Sequence, residues 1–400
     1  MINWADIFIN FAAAIGLITL FFDFRERTQK SPLAQRIGWV ALAAASLVSL
    51  RALFWMTGIE FFLKLALFAA VTLPLLILIA TEGLMRRHAH VLMKLLAAAW
   101  VVIGGFLVFS WSNPVSFTYL NAVAQIIIPV ICVSWILLRD RSQHTQAENR
   151  NMGVFIIALL FISVLTITDF PSIIDLPVRL GAIAILMVCY LMVFAGHKDY
   201  SVPRAFLEFL AMLGMILIFS TSTRLVLGKG ATIATFQLTA FLFSLMLTTV
   251  ILVRSISKRF GFQEFSQNNI ASARTTSVEA FIEDTLLARV SSEAHMISPD
   301  QLPDYNWQDI ETAFTTGPVL KREDLTSPDD ENDQMNDPGK EQVLHLLDSY
   351  KASHVVLITG EAPKLILAAT PLISENRDRD AYFEVVARMA GLIRQRGSHD

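Results

Sequence analysis

Charge is scarce in this chain of 400 residues: 17% are Asp, Glu, Lys or Arg, against about a quarter in ordinary soluble proteins, while 54% are hydrophobic. A soluble fold of that composition would leave too little polar surface, so the bilayer is the expected solvent for much of the chain. Cysteine is nearly absent. Cys132 and Cys189 both sit inside apolar runs and read as small packing residues, so neither a disulfide framework nor a redox compartment can be inferred from them. Also missing are GxxxxGK followed by Ser or Thr, HExxH, CxxC and GxSxG. Nucleotide, metal and acyl chemistry therefore have no support in spacing, and neither an enzyme nor a cofactor is expected. None of the eight histidines falls within a candidate membrane span, which argues against haem ligation in the bilayer. The pair His88 and His90 is flanked by Arg87 and Lys94, a positive field that disfavours a metal, so a solvated connection is the expectation there.

What is present is long apolar segments. Crossing a hydrocarbon core takes about 20 mostly apolar residues. Such runs lie near 5 to 22, 37 to 56, 61 to 80, 92 to 111, 119 to 138, 152 to 170, 178 to 195, 205 to 226 and 232 to 253. The expectation is a helical membrane domain over residues 1 to 253 with about nine spans, the first retained because no small-residue cleavage site follows it.

Residues 1 to 253 carry 17 Lys and Arg against 11 Asp and Glu, a balance of +6, whereas the remainder carries 15 against 24, a balance of -9. An acidic tail argues against nucleic acid as a partner. Of the 17 cations, 12 between Arg25 and Arg204 fall on alternate connections; Arg51, Lys64, Arg179, Arg224 and Lys229 fall on the opposite side. Positive charge stays inside, so the N-terminus is expected outside and the tail in the cytoplasm, as in a bacterial inner-membrane protein. Trp4, Trp55, Trp111, Tyr119 and Trp135 mark span ends as interfacial anchors in contact with lipid.

A linker is expected over 254 to 277 and a soluble domain over 278 to 400, with a mobile acidic loop at Thr326 to Lys340 that lacks apolar residues. The spacing predicts helices over Val278 to Val290 and Glu341 to Tyr350. Two apolar runs, His354 to Thr359 and Leu365 to Thr370, flank a Gly/Pro turn and predict a hairpin, which Asp380 to Arg396 covers with its apolar face.

The order helix, hairpin and closing helix over Leu346 to Ala369 and Tyr382 to Arg394, preceded by Ala313 to Leu325 with its Gly317-Pro-Val segment, resembles the C-terminal half of a GAF domain. The resemblance implies a small α+β fold over about Val278 to Arg396. Leu367 to Ala369 stand where many such domains carry a glycine. A membrane half followed by such a domain is similar to the front end of bacterial sensor histidine kinases, although no kinase module is found in this sequence.

Ionisable groups near hydrocarbon are costly, so Arg51, Glu60, Lys64, Asp169, Asp175, Arg179 and Arg224, all near the outer side, are candidates for a polar ligand site. The plainer alternative for each is interfacial anchoring, with Glu60 and Lys64 paired at i, i+4. Glu82 and Glu208 are expected to pair with neighbouring arginines rather than carry protons. The functional expectation is a signalling component that relays to a cytoplasmic protein partner. A secondary transporter with a regulatory tail and a membrane scaffold are the alternatives.

Overall fold

The computed structural model describes residues 4–25, 32–85, 87–110, 114–140, 146–170, 176–194, 232–287, 294–315, 317–325, 337–359, 364–368 and 377–397, with scattered positions between 207 and 222. Contacts divide the chain into two units, Met1–Arg139 with Asn151–Ser257, and Asp140–Arg150 with Lys258–Asp400.

The first unit is a helical bundle of α1 (Trp4–Arg25), α2 (Pro32–Thr57), α3 (Glu60–Met85), α4 (Val91–Ser110), α5 (Pro114–Leu137), α6 (Gln146–Thr166) from Asn151 onward, α7 (Gly181–Phe194) and α8 (Thr232–Ser272) as far as Ser257. Seven of these contain an apolar stretch long enough to cross a membrane; the shorter α7 does not. At 14 residues and 1.5 Å per residue, α7 is about 21 Å long, short of a hydrocarbon core of about 30 Å. Its start, three residues later than the pattern suggests, follows from the contacts of Arg179 and Leu180 described below. The expected span at 205 to 226 falls partly outside the described residues, and the described positions between 207 and 222 are helical.

Helix α1 packs against α2, α7 and α8 and leaves one face, with Phe8, Ile15, Ile18 and Phe22, exposed. Trp4 and Phe8 meet Phe241 edge-on at 5.8 and 5.7 Å, Thr248 donates to the Ala12 carbonyl at 3.5 Å, and Ser255 donates to Asp23 at 2.7 Å. Residue numbers rise together along both helices, so α1 and α8 run parallel. The same holds for α7, since Arg179 meets Asp6 and Leu186 lies beside Gly16.

Helix α3 continues through Pro74, which has no N–H to donate back to the Ala70 carbonyl. Gln125 on α5 fills that vacancy, its Nε2 donating to Ala70 O at 3.2 Å. A proline on one helix thus fixes the partner residue on the next. Gly104 allows α4 to approach α3: a Cβ there would lie 2.9 Å from Val71 Cγ1.

In the second unit, β1 (His295–Ile297), β2 (Val319–Lys321), β3 (His354–Ile358) and β4 (Lys364–Ala368) form an antiparallel sheet in the order β1-β4-β3-β2. Alternation sends Val355, Leu357, Leu365 and Leu367 to one face, where they pack on α10 (Trp307–Ala313) and α11 (Pro338–Ser349). Val356, Ile358, Ile366 and Ala368 point the other way, onto α9 (Val278–Ile282) and α12 (Arg377–Gly397) through Phe281, Phe383, Val386 and Ala390. The hairpin and its covering helix thus form as the pattern predicts.

Three expectations change. The helix predicted over Val278 to Val290 is α9 followed by a π-helical turn, Glu283–Leu287. The stretch read as a linker is helical to Ser272. The acidic segment ends before Lys340, because Asp337 caps α11 by accepting from Gly339 N at 3.0 Å and Pro338 supplies the first helical residue. Residues 326 to 336, where mobility is expected, lie outside the described residues.

Candidate functional site

Polar side chains converge where α1 begins. Asp6 and Asn10 lie one turn apart on α1 and are buried, Asn10 to 1% exposure. Asn10 donates to the Asp6 carbonyl at 2.7 Å, and its Oδ1 accepts from Nε and Nη2 of Arg51 on α2, at 3.0 and 2.7 Å. The remaining Arg51 nitrogen, Nη1, pairs with Asp169, which closes the 3-10 turn Ile167–Asp169 after α6. The side chains of Arg51 and Asp169 are 16% and 10% exposed, so water screens the pair far less than it would at a surface.

These same residues hold the start of α7. Three successive backbone N–H groups, each of which would lack an intrahelical partner, are met by side chains from other elements. Arg179 N donates to Asp6 Oδ1 at 2.9 Å, Leu180 N to Thr168 Oγ1 at 2.9 Å and Gly181 N to Asp169 Oδ1 at 3.3 Å. Two carboxylates at a helix N-terminus also complement its dipole. Glycine is required at 181, since a Cβ there would lie 2.7 Å from Asp169 Oδ2. Trp55, one turn beyond Arg51, presents its ring to both guanidinium groups, Arg51 at 5.1 Å and Arg179 at 4.7 Å. Gln237 on α8 donates to the Pro177 carbonyl at 3.5 Å, so the junction reaches that helix as well.

Of the residues singled out from sequence, Arg51, Asp169 and Arg179 are brought together. Glu60 is exposed at the start of α3 and Lys64 is half-buried; among the described residues no ion pair joins them. Asp175 and Arg224 lie outside the described residues. Sequence reasoning missed Asp6, Asn10 and Thr168, and it read Trp55 only as an anchor. Two polar residues at i, i+4 in an otherwise apolar span was the signal for the first two.

Elsewhere in the bundle, Glu82 is buried and accepts from Ala89 N and Lys94 Nζ, both at 2.6 Å, while Tyr190 donates to Glu208. His88 and His90 are exposed, and His90 Nδ1 accepts from Leu92 N at 3.3 Å at the start of α4. Among the described residues no three His, Cys, Asp or Glu side chains converge as a metal site would. The junction contains two acids and two guanidinium groups and balances to neutrality. Comparison with family models, with curated proteins and with solved structures finds no match for this chain.

Proposed function

We propose that this chain is a membrane-embedded sensor with no catalytic output of its own, whose C-terminal unit is a GAF-like domain that relays to a separate cytoplasmic protein. The observation that carries the reading is the polar junction. Asp6, Asn10, Arg51 and Asp169 tie α1, α2 and the α6–α7 connection to the start of α7. Gln237 adds α8, whose residues pass from the first unit to the second at Ser257. A ligand that changes pairing here biases the helix leading to the tail, and a buried network with two arrangements is a physical basis for a switch.

Nine crossings with the N-terminus outside accord with this reading. α7 and α8 both run parallel to α1, and in this reading the apolar run at 205 to 226 supplies one further crossing between them. An odd count then puts the N-terminus and tail on opposite membrane faces, and the positive charge on alternate connections favours a cytoplasmic tail in a bacterial inner membrane. A sheet covered on both faces, with a hairpin followed by a closing helix, supports the GAF-like assignment.

Secondary transport draws support from one observation, the short α7 whose N-terminus is buried in a polar junction. Co-purification from native membrane tests the sensor: a kinase or response regulator captured by the C-terminal unit is the expected result. Solute uptake into vesicles containing the purified chain, with no such partner captured, would favour transport instead.

A further inference from the structure

Two guanidinium groups share the Trp55 ring, and their circumstances differ. Arg51 commits Nε, Nη1 and Nη2 to Asn10 and Asp169. Arg179 is held by its backbone, through the N–H that reaches Asp6, while its guanidinium makes no hydrogen bond or ion pair among the described residues. Of its neighbouring acids, Asp6 accepts that N–H through Oδ1, and Asp169 accepts from Arg51 and Gly181 N. The five N–H donors of this half-buried, planar cation thus have no hydrogen-bond acceptor among the described residues.

We propose that Arg179 is the anchor for an oxyanion, a carboxylate or a phosphate, which its paired N–H groups receive in bidentate fashion beside the Trp55 ring. The inference rests on the junction being the sensing site and supplies the class of its ligand. Asp6 fixes the backbone of Arg179 and the indole supports its side chain, so little ordering remains to be done on binding. Arg51 is the positioning residue: it fills the other edge of the cluster and keeps Asp169 from competing for Arg179. The same chemistry belongs to the headgroup of an anionic lipid and to a soluble anion, and the two are separable by experiment.

The full chain in a maltoside detergent, which carries neither group, is titrated with inorganic phosphate, with succinate and with a short-chain phosphatidylglycerol. Its thermal midpoint is followed by intrinsic fluorescence. A saturable rise with at least one probe is expected. Saturation by phosphate or succinate identifies a soluble ligand, and saturation by phosphatidylglycerol alone identifies a lipid headgroup. Arg179→Gln raises the half-saturating concentration about tenfold or more; its unliganded midpoint is recorded alongside, because the variant also loses the contact with the Trp55 ring, and the shift on ligand addition is read relative to that midpoint. Arg179→Lys, a point charge without the fork, falls between the two and serves as the test if the Gln variant does not fold. No saturable rise with any probe, or equal rises in wild type and variants, overturns the inference. Binding that leaves hydrogen exchange in residues 258–287 unchanged keeps the anion site but removes its sensing role.

Discussion

The two units relate polarity to interior in opposite ways. In the C-terminal unit the buried positions of β3 and β4, His354 apart, are apolar and alternate between two faces, while charged pairs such as Arg274 with Asp284 lie outside. In the bundle, Val102 and Phe106 on α4 are each 72% exposed, whereas Asp6, Asn10, Asp23 and Glu82 are buried. Water rewards apolar burial in the first case. Lipid tails reward none in the second, so the interior of a bundle is marked by where polar groups find one another. Specificity in the tail therefore resides in side-chain volume, and in the bundle it resides in a few hydrogen-bonded partners.

The contrast can be broken at either end. Replacing Arg51 by Gln breaks its pair with Asp169 and should lower the thermal midpoint of the purified chain; the cost is below the about 3–5 kcal/mol of a buried charge left alone, because Arg179 remains as a second cation near Asp169. Pairing Arg51→Met with Asp169→Leu should recover most of that loss. In the tail the comparable loss comes from volume: Phe383→Ala, at a fully buried position, should cost about 3–5 kcal/mol. Denaturation of an isolated fragment spanning residues 275 to 400 reads this loss, since that fragment carries the whole sheet and both of its covers.

A smaller effect is expected at Gln125. Its replacement by Leu orphans the Ala70 carbonyl freed by Pro74 and should cost about 0.6–1.7 kcal/mol, the range for single hydrogen bonds between membrane helices; a paired Pro74→Ala change should abolish the loss. Smallest is the pH response of the tail. The hydrogen bond from Lys364 holds the Glu279 carboxyl below its ordinary value of 4.5. A depressed carboxylate contributes stability that is present above 4.5 and disappears as pH falls through the lower folded value. Glu279→Gln should flatten that decline slightly in denaturation curves below pH 4.5. The side chain is 53% exposed, so screening keeps the effect small.

Legibility followed the same division. The β3–β4 hairpin and its closing helix were readable because alternation and a 3.6-residue period survive in a water-facing domain. β1 and β2, at three residues each, are too short to carry a pattern. The long spans were readable from apolar length alone, yet length gives no inward face. Asn10, Arg51 and Asp169 meet across separations of 41 and 118 residues, and no local spacing encodes that meeting. Arg51, Asp169 and Arg179 stood out only because charge near hydrocarbon is costly. Asp6 and Asn10 lie near the start of the first span, where polar residues are ordinary and carry no signal of a distant partner. The late start of α7 was hidden because Pro177 and Arg179 interrupt an apolar run only lightly, while the capping groups that set the boundary come from distant α1 and α6.

If the junction around Arg51 and Asp169 biases the C-terminal unit, as proposed, its loss must be felt in residues 258–287. Hydrogen exchange of that segment is compared between wild type and Arg51→Gln in the full chain reconstituted in vesicles. Altered exchange is expected there at temperatures where both bundles remain folded, with reversal in the Arg51→Met, Asp169→Leu pair. Identical exchange in all three proteins, with the bundle's own amides near Gly181 altered as expected, would mean that the junction is only a structural clasp and would contradict the sensor.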